Sequence, residues 1–263
     1  HYGYRVEWST KPLRRTLLTN LTYPIMFDLE VGINQQNTDR LNSRSVSRLL
    51  GRNAIRVPNA ISMERFRGGK PDVKTKKETL GIPADAPLIG TVGRLADQKG
   101  YQYLIEAASL VINQQPSTYF VIIGDGPLAD EHRQQALDLG ISSQVIFTGG
   151  RTDVEELLYC LDLFASSSLW EGLPTVLLEA MAANVPIIAT DIPGTNELIT
   201  HDHDGWLVPA YDSQALADGI LQLLKNPSLR GSLAGKAMDT LNLYSISAIA
   251  DHYEKLYSQL NNK

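Results

Sequence analysis

From about residue 87 onward, short apolar runs ending in Gly, Ser or Thr alternate with segments of helical period, and this alternation most constrains what the chain can fold into. The runs are PLIGTVG, TYFVIIG, QVIFTG, LDLFASS, VPIIAT and GWLVPA, and helices are predicted between them over residues 100–114, 128–139, 154–161 and 174–183. Apolar runs with almost no polar alternation suit strands covered on both faces, so the fold class is α/β: a parallel sheet with helices on each side. Such a sheet takes its ligands in the loops beyond the carboxyl ends of its strands.

Residues 1–57 are less regular, with a helical stretch over 43–50 and a short strand candidate, AIRVP, and they read as the tail of a different domain. Residues 63–77, with Gly68-Gly69 and several lysines, read as a solvated connection into a helix that ends at Gly81. After about residue 212, three helical segments close the chain, and there are no internal repeats or low-complexity tracts. With 43% hydrophobic and 20% charged residues, the 263-residue chain has enough apolar content for one large core or two smaller ones.

A net charge of -5 gives no global attraction for nucleic acid, so any anion site has to be local. No apolar run approaches the ~20 residues of a membrane span, and the first residues lack the apolar core of a signal peptide. The single cysteine, Cys160, reads as a buried structural thiol in a reducing compartment.

Two constellations carry chemistry. In PLIGTVGRLADQKG a buried strand ends at Gly93, followed by Arg94 and, five residues on, Lys99. Gly93 lets a phosphate approach the backbone, Arg94 offers planar two-pronged hydrogen bonds and Lys99 adds a mobile point charge. A surface Arg and Lys on a helix-entry loop account for the same string. In SSLWEGLPTVLLEAMA a strand ends in serines, Gly172 loosens the loop and Pro174 fits the first position of a helix. Free backbone amides around Leu173, Pro174, Thr175 and Val176 then point at an anion, with the positive end of the helix dipole behind them. Glu171 stands just before that helix, and Glu179 lies one turn past Thr175 on the same face. Carboxylates are acceptor-only groups that take two hydroxyls at once, which suits the vicinal diols of a sugar and a ribose. A pair of solvated glutamates is the competing explanation.

Two other strings are decoys. Gly124-Asp125-Gly126-Pro127 fails as a dinucleotide fingerprint because Pro127 occupies the turn, and it reads as structural. His201-Asp202-His203-Asp204 imitates a metal site but directly precedes Gly205 and a strand, as a polar turn does.

Taken together, PNAIS, GTVGRLADQKG, FVIIGDGPL, VIFTGGRTDVEELL, SSSLWEGLPTVLLEAMAANVPIIATDIPGTNELI, DGWLVP and the closing Tyr-rich helix resemble the retaining family 4 glycosyltransferases. The resemblance covers roughly residues 55–260 and implies a GT-B architecture of two facing Rossmann-like, doubly wound domains. Residues 1–58 would be a truncated remnant of the acceptor-side domain, 59–244 the nucleotide-sugar-binding domain and 245–263 a crossover helix. The implied activity is transfer of a hexose from a UDP- or GDP-sugar to a glycan or lipid-linked acceptor with retention, with no cofactor and no metal. A donor-binding module without turnover is the alternative; an epimerase or phosphorylase is disfavoured. By the same resemblance Arg94 and Lys99 hold the diphosphate, Glu179 receives the ribose and Glu171 meets the sugar. The Leu173 to Val176 amides complete the phosphate cradle, and the base rests near Gly150 and Arg151. PNAIS departs from the family's PNG-V-D pattern: Ser62 stands where an Asp is usual, leaving Asn59 as the anchor. The resemblance also implies a cytoplasmic enzyme with peripheral contact at the inner face of a membrane. Trp8, Lys11, Arg14 and Arg15 fit that contact or a solvated helix start, and His1 matches either the family's histidine that faces the donor sugar or a frayed terminus.

Overall fold

The computed structural model describes residues 18–66 and 68–261, which fall into two compact units divided between Pro58 and Asn59. His1, Trp8, Lys11, Arg14 and Arg15 lie outside the described residues.

The first unit holds helices α1 (Tyr23–Met26), α2 (Gln35–Asn42) and α3 (Ser45–Leu49) around a two-stranded parallel sheet of β1 (Val31–Gly32) and β2 (Ile55–Arg56). The Asn34 side chain caps α2 by accepting from the Asn37 amide. The helix and strand expected over 43–50 and AIRVP are present but shorter.

In the second unit a 3₁₀ turn (Met63–Phe66) and α4 (Val73–Thr79) lead into six strands: β3 (Leu88–Val92), β4 (Tyr119–Ile123), β5 (Val145–Gly149), β6 (Leu163–Ser166), β7 (Ile187–Thr190) and β8 (Trp206–Val208). All six apolar runs of the sequence become strands of one sheet, ordered β5-β4-β3-β6-β7-β8, with every neighbouring pair parallel. Between them run α5 (Tyr101–Gln114), α6 (Ala129–Asp138), α7 (Val154–Leu158) and α8 (Thr175–Ala182), followed by α9 (Ser213–Lys225), α10 (Pro227–Asn242) and α11 (Ile246–Asn261).

Successive strand residues point to opposite faces, and both faces are dry. Leu88, Val121, Ile123, Phe164 and Ile187 pack with Leu157, Leu177, Met181, Ala237 and Leu241 from α7, α8 and α10. Ile89, Phe120, Ile122, Leu163 and Ile188 pack with Leu104, Ala136 and Ile220 from α5, α6 and α9. This double cover is why the strands carry no polar alternation. The fold is the expected doubly wound α/β sheet.

Two local expectations need correction. The helix expected to reach residue 161 stops at Leu158, because the Asp162 amide joins the sheet by donating to the Leu88 carbonyl. The segment 63–77 is not simply solvated: Phe66 and Lys77 are buried. The Lys77 ammonium crosses the base of the unit to the Ala86 carbonyl at 2.9 Å and Asp162 Oδ2 at 3.5 Å. Its long apolar stem allows that burial while the charge stays partnered. Cys160 is buried as expected, and burial pushes its thiol up to about 11.

Among the described residues no helix is long and apolar enough to cross a membrane.

Candidate functional site

The strand order reverses direction between β3 and β6, so the loops leaving their carboxyl ends diverge and open a crevice. The loop after β3 carries Gly93, Arg94 and Lys99; the loop after β6 carries residues 167–174.

Hydrogen bonds join these two loops. The Leu169 amide donates to the Gln98 carbonyl at 2.8 Å and Ser167 Oγ donates to the Lys99 carbonyl at 2.9 Å. Gln98 Nε2 reaches the Trp170 carbonyl at 2.9 Å and Glu171 Oε2 at 3.2 Å. Lys99 Nζ and Ser168 Oγ donate to Glu171 Oε1 at 2.6 and 2.8 Å. Glu171 is thus a nearly buried carboxylate, 8% exposed, held by three donors in the crevice. Arg94 differs: it is exposed and makes no hydrogen bond or ion pair among the described residues, leaving its five donors open.

Glycines set the close approaches behind these loops. Gly124 has φ +143°, and a Cβ there would lie 2.0 Å from the Gly93 carbonyl oxygen; at Gly126 one would lie 2.3 Å from that of Leu95. The GDGP turn is therefore structural, as expected, and its use is specific: it backs the Gly93-Arg94-Leu95 backbone, with the Leu95 amide donating to the Asp125 carbonyl at 3.0 Å. Gly194, at φ +89°, does the same for the second loop, where a Cβ would lie 2.1 Å from the Gly172 oxygen.

The start of α8 differs by one residue from the sequence reading. Pro174 is the cap, extended at ψ 103°, and its carbonyl accepts from the Leu177 amide, so Thr175 and not Pro174 is the first helical residue. Proline has no N–H, so only the Leu173, Thr175 and Val176 amides are available as donors near this end. Asn59 fixes the approach to the helix, its Nδ2 donating to the Leu173 carbonyl at 3.0 Å.

Glu179, one turn into α8, pairs with neither Lys99 nor Glu171. Its Oε1 accepts from Arg65 Nη1 at 3.2 Å, and the other terminal nitrogen of Arg65 pairs with Glu155 of α7. Burial raises the Glu179 carboxyl above its ordinary value, Arg65 pulls it back and Glu155 raises it further.

Arg151 lies beyond β5, two strands from β3 and hence about 10 Å away across the sheet. It makes a two-pronged pair with Asp153 at 2.6 and 2.8 Å, and Lys76 Nζ joins Asp153 at 2.6 Å. Together these cations hold the Asp153 carboxyl well below the usual range.

Sequence reading missed Gln98, Ser168 and Arg65. Gln98 and Ser168 lie inside the motifs already singled out, adjacent to Lys99 and three residues before Glu171. Arg65 had no signal, since it meets Glu179 across 114 positions.

The His201-Asp204 string is a turn. His201 Nδ1 accepts from the Leu207 amide, and buried Asp204 accepts from the Thr200 amide and Thr240 Oγ1. The described residues include no group of three His, Cys, Asp or Glu that could hold a metal ion.

A cation-bearing crevice at the switch point of a parallel sheet, beside a helix N-terminus, defines the class of Rossmann-like domains built to hold anionic ligands such as nucleotides. The sequence narrows this further: the profile described as Glycosyl transferases group 1 matches residues 72–239, and the chain belongs to that family. It is 34% identical over 221 residues to the lipopolysaccharide core biosynthesis glycosyltransferase LpsE of Rhizobium meliloti (strain 1021), covering 84% of this chain and 62% of that protein. It is 29% identical over 204 residues to the Escherichia coli UDP-Gal:alpha-D-GlcNAc-diphosphoundecaprenol alpha-1,3-galactosyltransferase, covering 76% of this chain and 53% of that one. The chain thus spans a little over half to about three fifths of these relatives' length. Among solved structures, Anabaena HepE in complex with UDP and glucose superposes with a TM-score of 0.83 at 23% identity, over 94% of this chain and 66% of that one. The C-terminal domain of the group 1 family protein LpcC from Francisella tularensis superposes with a TM-score of 0.64 at 29% identity, over 71% of this chain and 99% of that domain. The fold is of the GT-B glycosyltransferase type.

Proposed function

We propose that this chain carries the donor half of a retaining glycosyltransferase that moves a hexose from a UDP- or GDP-sugar to a glycan or lipid-linked acceptor. The observation that carries the reading is the Lys99–Glu171 pair at the switch point, with Arg94 open beside it and the α8 amides close in sequence. Arg94 and Lys99 take the diphosphate, and the Leu173, Thr175 and Val176 amides complete its cradle. Glu171 accepts from the sugar hydroxyls and orients the anomeric carbon. Glu179 takes the ribose diol, and Arg151, held flat by Asp153, meets the base. As the bond from the anomeric carbon to the donor oxygen breaks, negative charge grows on the departing diphosphate; fixed cations and amides stabilise it there with no bound metal. Family 4 resemblance supports retention, and the names of the relatives support a glycan or lipid-linked acceptor. The same resemblance makes α11 the crossover helix and residues 1–58 acceptor-side chain. Cytoplasmic placement with peripheral membrane contact belongs to this proposal as well.

The test is transfer, donor hydrolysis and calorimetric binding of UDP and GDP by wild type, Arg94→Ala and Glu179→Ala. Loss of one charge-assisted partner is expected to weaken nucleotide binding about tenfold to a hundredfold in each variant. Unchanged affinity in both overturns the site. A second reading, binding without turnover, draws support from the second unit alone holding every side chain and amide proposed to meet the donor. It is established if nucleotide binds and no sugar is transferred.

A further inference from the structure

Among the described residues, Arg65 is the one charged side chain that touches Glu179 directly. It sits on the 3₁₀ turn Met63–Phe66, which is itself anchored: Phe66 is buried, its ring meets Tyr159 edge-on at 6.2 Å, and Tyr159 Oη donates to the Phe66 carbonyl at 2.7 Å. From this base the guanidinium spans α7 and α8, one terminal nitrogen on Glu155 and the other on Glu179 Oε1. Glu179 Oε2 is left without a hydrogen bond among the described residues. A planar guanidinium fixed at both ends presents its partner carboxylate in one orientation, which a mobile solvated glutamate would not keep.

We propose that Arg65 is the positioning residue of the ribose subsite: tethered by Glu155, it holds the Glu179 carboxylate through Oε1 and leaves Oε2 free to accept ribose hydroxyls. The inference rests on the reading of Glu179 as the ribose acceptor. Its chemistry is simple. A carboxylate accepts two hydroxyls only when ionised, and Glu179 is under pressure to protonate from its own burial and from Glu155, with Arg65 the group that opposes both. No charged group from α10 or β7, the other elements packed against α8, acts on it. Nucleotide binding adds to the desolvation, so the counter-charge matters more in the complex than in the free protein.

Removing Arg65 moves the Glu179 carboxyl upward, so a smaller fraction is ionised at any given acidic pH. Affinity for the nucleotide falls as pH drops through that raised value, and the fall begins at higher pH in the variant than in wild type. The experiment is calorimetric binding of UDP and GDP, each beside its 2′,3′-dideoxy analogue, to wild type, Arg65→Gln and Arg65→Lys from about pH 5.5 to about pH 8.5, with thermal melting to verify folding. Expected are roughly tenfold weaker nucleotide binding by Arg65→Gln near pH 6, less than about threefold near pH 8.5, and, in Arg65→Lys, recovery of the wild-type pH dependence with affinity short of wild type, because the charge returns without the two-ended planar hold. The dideoxy analogue should show no such pH-dependent difference. If wild type binds neither nucleotide, or binds the dideoxy analogue equally well, the ribose reading falls and the inference with it. If wild type discriminates but Arg65→Gln keeps its affinity and pH profile, the inference alone is overturned. Tighter binding by Arg65→Gln also overturns it, since Arg65 would then be competing with the ribose for the carboxylate.

Discussion

The Glu179 carboxyl, to which the proposed site gives a binding role, costs the fold stability when it is ionised. Its carboxyl is raised in the folded state, chiefly by burial. A raised carboxyl favours the fold while protonated, below its unfolded value, and loses that contribution as pH rises through the folded one. Glu179→Gln escapes this loss, so it should melt higher than wild type near neutral pH, with the difference shrinking toward about pH 4, while binding nucleotide less tightly. Melting curves across that range check it; a Glu179→Gln protein less stable at neutral pH would mean that the Arg65 contact outweighs desolvation. Backbone residues have comparable leverage. Gly124→Ala places a Cβ against the Gly93 carbonyl at a φ that L-residues avoid, and should cost more than about 2 kcal/mol in urea unfolding and loosen the Arg94 loop. Gly140→Ala, at φ +72° with nothing within 4 Å, carries only the conformational cost of about 1 kcal/mol.

At the scale of elements, the strands and the long helices were legible because both faces of each strand are buried and each helix shows its period over ten residues or more. The shorter features were not. Lys77 looked like one of several solvated lysines, and only the fold reveals that its stem lies under the sheet with the ammonium on the Ala86 carbonyl and Asp162. Lys77→Met should therefore destabilise by about 1–3 kcal/mol, by leaving a buried carbonyl short of its donor, whereas Lys74→Met, at a largely exposed side chain, should stay within about 0.5 kcal/mol. Equal effects in chemical denaturation would return Lys77 to the surface class. In the candidate site, Arg94 and Lys99 on the loop between β3 and α5, and Glu171 on the loop between β6 and α8, could be singled out because each loop sits inside a strand-loop-helix unit that the sequence pattern marks. Arg65 and Gly194 could not, because their partners are set by how distant loops stack. The one-residue shift at Pro174 has the same origin: cap geometry depends on ψ, which sequence spacing does not report.

For the whole molecule, every proposed donor contact, from Arg94 after β3 to Arg151 beyond β5 and Glu179 on α8, belongs to the second unit. The two loops of the crevice brace each other and are backed by Gly124, Gly126 and Gly194 of the same unit, so none of the described support for the diphosphate loop comes from residues before Asn59. Both faces of its sheet are covered by its own helices, which gives it the complete core that independent folding requires. A fragment of residues 59–263 is therefore expected to unfold cooperatively and to bind its nucleotide within about threefold of the full chain, while transferring no sugar. Circular dichroism during denaturation and calorimetry with UDP and GDP test both parts. A drop in affinity beyond about tenfold in a folded fragment would place a donor contact before Asn59 and redraw the site.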